Sequence, residues 1–131
     1  MITLIEYLTA IREFAKDIHY HAKGEAFYGI HLLMDRVADG IYDTIDQIKE
    51  VCYLGDINEV PQSRDLLKVA AAYIPEVSES NEENIGKLEE LIAKALGHVE
   101  TIETNSRAFN AILDGIAQDL QLKRGLLWRN K

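Results

Sequence analysis

The sequence predicts an all-α helical bundle, and three features of it do so. Apolar residues recur at alternating steps of three and four through four long segments. The only two prolines, Pro61 and Pro75, sit close together and leave the rest of the chain free to be helical. No stretch alternates apolar and polar residues in the period of two that marks a strand. With 131 residues, 47% of them apolar and 27% charged, the chain has the size and composition of a single globular domain spanning residues 1–131.

The first stripe is Leu4, Leu8, Ile11, Ala15, Ile18 and Ala22, which sets a helix over about residues 2–22. Lys23-Gly24 punctuates it. The second stripe is Ile30, Met34, Val37, Ile41, Ile45, Ile48 and Cys52, read as one helix over about 25–54 that stops at Gly55. Residues 56–63 read as loop, and Leu66, Leu67, Ala70 and Ala71 mark a short helix over about 64–73 between the prolines. Ser80 and Glu83 have capping-box spacing. They open a third stripe, Ile85, Leu88, Ile92, Ala95, Val99 and Ile102, over about 81–104. Thr104-Asn105-Ser106 breaks it. Phe109, Ile112, Ile116 and Leu120 then carry a last long helix over about 106–124 into a basic tail. Tight connections make the first and second helices antiparallel, and likewise the third and fourth. The roughly 26 residues between the second and third are far more than a bundle loop needs. A helix of some 30 residues is about 45 Å long, and a connection able to cover that length lets the second and third run parallel. This is the single-crossover, ferritin-like four-helix arrangement, with the short helix in the crossover.

Lys and Arg number 14 against 22 Asp and Glu, a net charge of −8, which disfavours nucleic acid and anionic membranes as default partners. Cys52 is the only cysteine, so no intrachain disulfide forms, and a cytoplasmic location is expected. The first residues lack the basic start of a signal peptide, and no apolar run approaches the roughly 18 residues of a membrane span.

Chemistry concentrates on the first two helices. His19, His21 and His31 lie near their junction. On a continuous second helix, Asp35 lies about 40° from His31, Asp46 about 60° and Glu50 about 100°, so all four share one side. Imidazole and carboxylate together suit iron, zinc or manganese. The His31/Asp35 and Asp46/Glu50 pairs are centred about 22 Å apart along such a helix, too far for one metal. Two-fold antiparallel pairing of the helix with its copy removes the difficulty. Gly40 falls near the midpoint, and Asp46 and Glu50 of one chain then meet His31 and Asp35 of the other in two equivalent sites. His19 would join from the end of the first helix.

The run from His19 through Lys23-Gly24 and Phe27 to His31, then Asp35, Asp46 and Glu50, resembles the Dps family of mini-ferritins. The successive intervals of 12, 4, 11 and 4 residues match that family's pattern. The resemblance extends over nearly the whole chain, but residues 19–55 carry the specific motif. It implies a ferroxidase centre in which His19, His31 and Asp35 come from one subunit and Asp46 and Glu50 from its dimer mate. It further implies Fe(II) oxidation, with hydrogen peroxide in many members, and a hollow dodecamer that stores ferric mineral. The family's Trp after the first histidine is Tyr20 here. Its Lys-rich N-terminal extension is absent, so DNA binding through such a tail is not expected. The Glu-x-x-His motif of ordinary ferritins is also absent, since Lys16, Ile18, Tyr28 and Ala95 stand three before the four histidines.

Plainer roles stand beside these. The five residues could be a solvated acidic face with two core or capping histidines. The whole could be a non-enzymatic ferritin-like assembly that binds a metal only for structure, or a DNA-protecting one with a vestigial metal site. His21 reads as a surface residue, His98 as structural and Cys52 as a small buried hydrophobe. Residues 123–131 read as a helix end whose cations suit the macrodipole, with Trp128 packed on a neighbour.

Overall fold

A computed structural model describes residues 1–130. They form six α-helices: α1 (Ile2–His21), α2 (Phe27–Ala38), α3 (Ile41–Leu54), α4 (Ser63–Tyr73), α5 (Asn81–Thr101) and α6 (Arg107–Arg129). Among the described residues there is no strand and no helix long and apolar enough to cross a membrane.

The apolar stripes became the core. Leu4, Leu8, Ile11, Ala15 and Ile18 are all buried, joined by Ile5 and Phe14, and α1 packs against α2, α3, α4 and α5. The Lys16–Asp35 and His19–His31 contacts set α1 antiparallel to α2. Lys23 meets Asn81 at one end of α1, and Tyr7 meets His98 at the other, so α1 and α5 are also antiparallel. Arg124 beside Glu89 pairs α6 with α5, and Lys123 reaches Asp39 at the junction of α2 and α3. Tyr42 of α3 lies against Arg12 and Glu13 of α1, and Asp46 borders a hollow with Thr9, so α3 also runs against α1 and in the same direction as α5. Residues 55–80 connect them. Within that connection α4 lies on α1, with Leu66 and Ala70 buried and Tyr73 stacked on Tyr7 at 4.7 Å. Its exit is pinned by buried Asn84, whose side-chain amide accepts from the Ser78 N–H and donates to the Ser78 carbonyl. Ser80 caps α5 by accepting from the Glu83 N–H, as the capping-box spacing predicts.

Two expectations are corrected. The helix expected over 25–54 is two helices. Asp39 (φ −61°, ψ 136°) and Gly40 (φ 77°, ψ −8°) have the dihedrals of a type II turn, whose second central residue must take positive φ. Gly40 is therefore a joint between two helices, not a position inside a continuous one. The last helix, expected to end near 124, continues to Arg129, so residues 123–129 are a helix end as read; Lys123 is buried in it, and Trp128 is 60% exposed within the chain.

Two expected results follow. Nothing lies within 4 Å of a Cβ built on Gly40, so Gly40→Ala meets no steric obstacle and suffers only the left-handed backbone penalty. Denaturant titration should show a loss of about 1–2 kcal/mol. His98 packs against Tyr7, and its Nε2 is buried without a hydrogen-bond partner. Burial first, and then the N-terminal ammonium, hold its pKa below the usual histidine value. The unfolded chain therefore binds a proton at a higher pH than the folded one does. Stability is unaffected by this group above the unfolded pKa, and falls as pH drops from there through the folded pKa. Unfolding measured across about pH 7.5 to 5 should show this loss in the parent and a flatter profile in His98→Leu.

Candidate metal centre

The five-residue turn between α1 and α2 folds the histidines onto each other. His19, in the last turn of α1, is buried, and His31, one turn into α2, is half-buried. Their rings stack with centroids 3.5 Å apart and planes 18° from parallel. The contact is reciprocal: His19 Nδ1 lies 2.6 Å from the His31 carbonyl oxygen, and His31 Nδ1 lies 2.9 Å from the His19 carbonyl oxygen. A carbonyl oxygen only accepts, so each Nδ1 must carry the proton. In the neutral ring this leaves the Nε2 lone pair available. Anchoring one ring nitrogen on a backbone carbonyl is the usual way a protein orients a histidine ligand. Phe27 stacks on His31 at 5.0 Å, and Tyr20 sets its edge to His19 at 5.0 Å, which further restrains both rings.

Asp35 lies one turn beyond His31, its Oδ1 3.6 Å from His19 Nδ1. The same oxygen accepts from Lys16 Nζ at 2.7 Å. That hydrogen bond holds the Asp35 carboxyl below the usual carboxylate range, with the charges of His19, Lys16 and His31 adding to it. Sequence reasoning missed Lys16 as a member of the group. Its signal was available, since Lys16 stands three before His19 and so shares its helix face.

Asp46 and Glu50 are elsewhere. Both lie exposed on α3, with no ion-pair partner among the described residues. Asp46 borders a hollow with Thr9, Tyr42, Lys49 and Leu66. Thr9 and His19 are ten residues apart on α1, about 15 Å, so the two carboxylates do not join the histidine group within one chain. Among the described residues no three His, Cys, Asp or Glu are grouped to hold a metal in a single chain. Between the two regions stands Tyr42, whose hydroxyl donates to Glu13 and whose ring lies 4.5 Å below the Arg12 guanidinium.

The remaining sequence candidates fall outside this region. His21 is exposed and bonds the Asp17 carbonyl oxygen of its own helix at 2.6 Å. Cys52 is 1% exposed, and burial pushes its thiol pKa up, so it is a buried hydrophobe as expected. The fold and the site thus define an all-helical bundle carrying a pair of oriented histidines beside one carboxylate. Comparison with protein-family models, curated proteins and solved structures finds no match to this chain.

Proposed function

We propose that this chain is a Dps-like mini-ferritin, which oxidises Fe(II) at sites shared between subunits and stores the ferric product. The observation that carries the proposal is the reciprocal anchoring of His19 and His31 through Nδ1, which leaves the Nε2 lone pair of each neutral ring available, with the Asp35 carboxylate 3.6 Å from His19 Nδ1. Added to it is the interval pattern from His19 through His31, Asp35 and Asp46 to Glu50. A ferritin-like single crossover accords with α3 and α5 running in the same direction.

In this reading iron is the substrate. His19, His31 and Asp35 of one chain bind it together with Asp46 and Glu50 of a second copy related by a two-fold axis. Two Fe(II) ions each give one electron to one hydrogen peroxide, whose O–O bond breaks. Both oxygens end as oxide or hydroxide on the ferric product, and water supplies the rest while releasing protons. The two histidines are neutral ligands and the carboxylates offset the cation's charge. Lys16 occupies Oδ1 of Asp35, and the second carboxylate oxygen is the one left to serve. The assembly is a dimer at minimum and a dodecamer by the resemblance, acting in the cytoplasm. Zinc and manganese are substitutes for the same donors.

The Lys16–Asp35 ion pair favours a second reading, a helical assembly without iron chemistry, because it already neutralises one of the five donors. Anaerobic Fe(II) titration separates the two. The ferroxidase reading expects saturable binding at one centre per chain, lost in His31→Ala. The structural reading expects no saturable binding in either protein.

A further inference from the structure

Four of the five donors split two and two across the Asp39–Gly40 joint, with His31 and Asp35 on α2 and Asp46 and Glu50 on α3, while His19 lies on α1. Whatever fixes the angle at that joint fixes how the two pairs are presented to a second copy. A type II turn of two residues does not hold two helices rigidly by itself, because its four central dihedrals are the only constraint it supplies.

Both helices pack on α1, but among the described residues one side chain from across the bundle bonds the backbone of the joint itself. Lys123 of α6 places Nζ 3.2 Å from the Asp39 carbonyl oxygen and 2.9 Å from Asp119 Oδ2. Lys123 is 5% exposed, on a helix whose other buried side chains are Phe and aliphatic residues. A buried ammonium is expensive to desolvate, and an apolar side chain of similar length would fill the same space at lower cost. The ammonium does what an apolar group cannot. It donates to the carbonyl of the first central residue of the turn, while Asp119, one turn earlier on α6, steadies it.

We propose that Lys123 is a positioning residue, which sets the angle between α2 and α3 and so aligns the two donor pairs for assembly of the shared centre. Its role as an aligner of donors rests on the ferroxidase reading; its role at the joint does not. Misplacement of ligands by about 1 Å is enough to cost large factors in a preorganised site. Lys123→Met should therefore weaken metal binding about tenfold or more, while Lys123→Arg, which keeps a charged donor, retains most of it.

The experiment has two arms on the full chain. In the first, spin labels at Leu32→Cys and Tyr53→Cys, both exposed positions flanking the joint, report the α2–α3 distance by pulsed electron resonance. Cys52 is replaced by Ala, and labelled chains are diluted with unlabelled ones so that only distances within a chain are read. In the second, Co(II) absorbance titration reports the centre. A shifted or broadened distance with weakened Co(II) binding in Lys123→Met, both restored in Lys123→Arg, supports the proposal. An unchanged distance in Lys123→Met overturns it, whatever the metal does. If the parent binds no Co(II), the metal reading fails and the proposed alignment of donors fails with it, while the distance still decides whether Lys123 holds the joint. Lys123→Gln is the second variant. If it and Lys123→Met both lose helical circular dichroism, Lys123 holds the whole bundle and not the joint, and the proposal is overturned.

Discussion

Chains carrying His31→Ala and chains carrying Asp46→Ala should each oxidise Fe(II) no faster than a protein-free control, and a mixture of the two should recover activity. The reason is the separation of the donors. His19, His31 and Asp35 are gathered by the α1–α2 hairpin, while Asp46 lies beside Thr9, about 15 Å further along α1. If a centre takes three ligands from one chain and two from its mate, a mixed dimer contains one doubly broken centre and one intact centre. Random reassociation makes about half the dimers mixed, and half the centres in those are whole, so about one quarter of the parent activity returns. Mixing must follow reversible dissociation, with oligomer size checked by sedimentation. Full-length mixtures with no recovery would place all five donors in one chain or in none.

Phe14→Ala should be the most destabilising single truncation, because Phe14 is fully buried on the helix that touches four others. Removing a buried aromatic ring loses its transfer free energy and leaves a cavity that close-packed neighbours fill only in part, a cost of about 3–5 kcal/mol. A domain of this kind has a total stability of about 5–15 kcal/mol, so the variant should unfold at much lower denaturant than the parent. Ile18→Val, on the same helix and equally buried, should lose only about 0.5–1.5 kcal/mol. Comparable losses for the two would mean that α1 is not the packed centre of the bundle.

The helices were legible because burial follows period, but the break at Asp39–Gly40 was not read from the sequence. Ile30, Met34 and Val37 before the joint and Ile41, Ile45 and Ile48 after it are all buried. The stripe keeps its step of three and four straight across the turn, so periodicity had nothing to report. The available signal was the Asp-Gly dipeptide itself, a turn former that the apolar pattern outweighed. Residues 123–129 are the helix end expected of them, but the helix runs past the expected 124, because Lys123 is buried and Leu127, one turn further on, is fully buried and continues the apolar face.

Within the site, the contact between His19 and His31 was legible from a short turn joining antiparallel helices. The reciprocal carbonyl bonds were not, since they depend on ring orientation, which spacing does not encode. Lys16 could have been found from its place on the His19 face. Lys123 could not, because its partner Asp39 is 84 residues away and only the packing of α6 on the joint brings them together.

The most direct test of the central claim is to load the protein with Fe(II) without oxygen, add hydrogen peroxide, and follow ferric absorbance against a protein-free control. The ferroxidase reading predicts fast, saturable oxidation with the iron remaining in solution. Oxidation at the rate of the control, with iron precipitating, would contradict it and leave His19, His31, Asp35, Asp46 and Glu50 as parts of a helical assembly without iron chemistry.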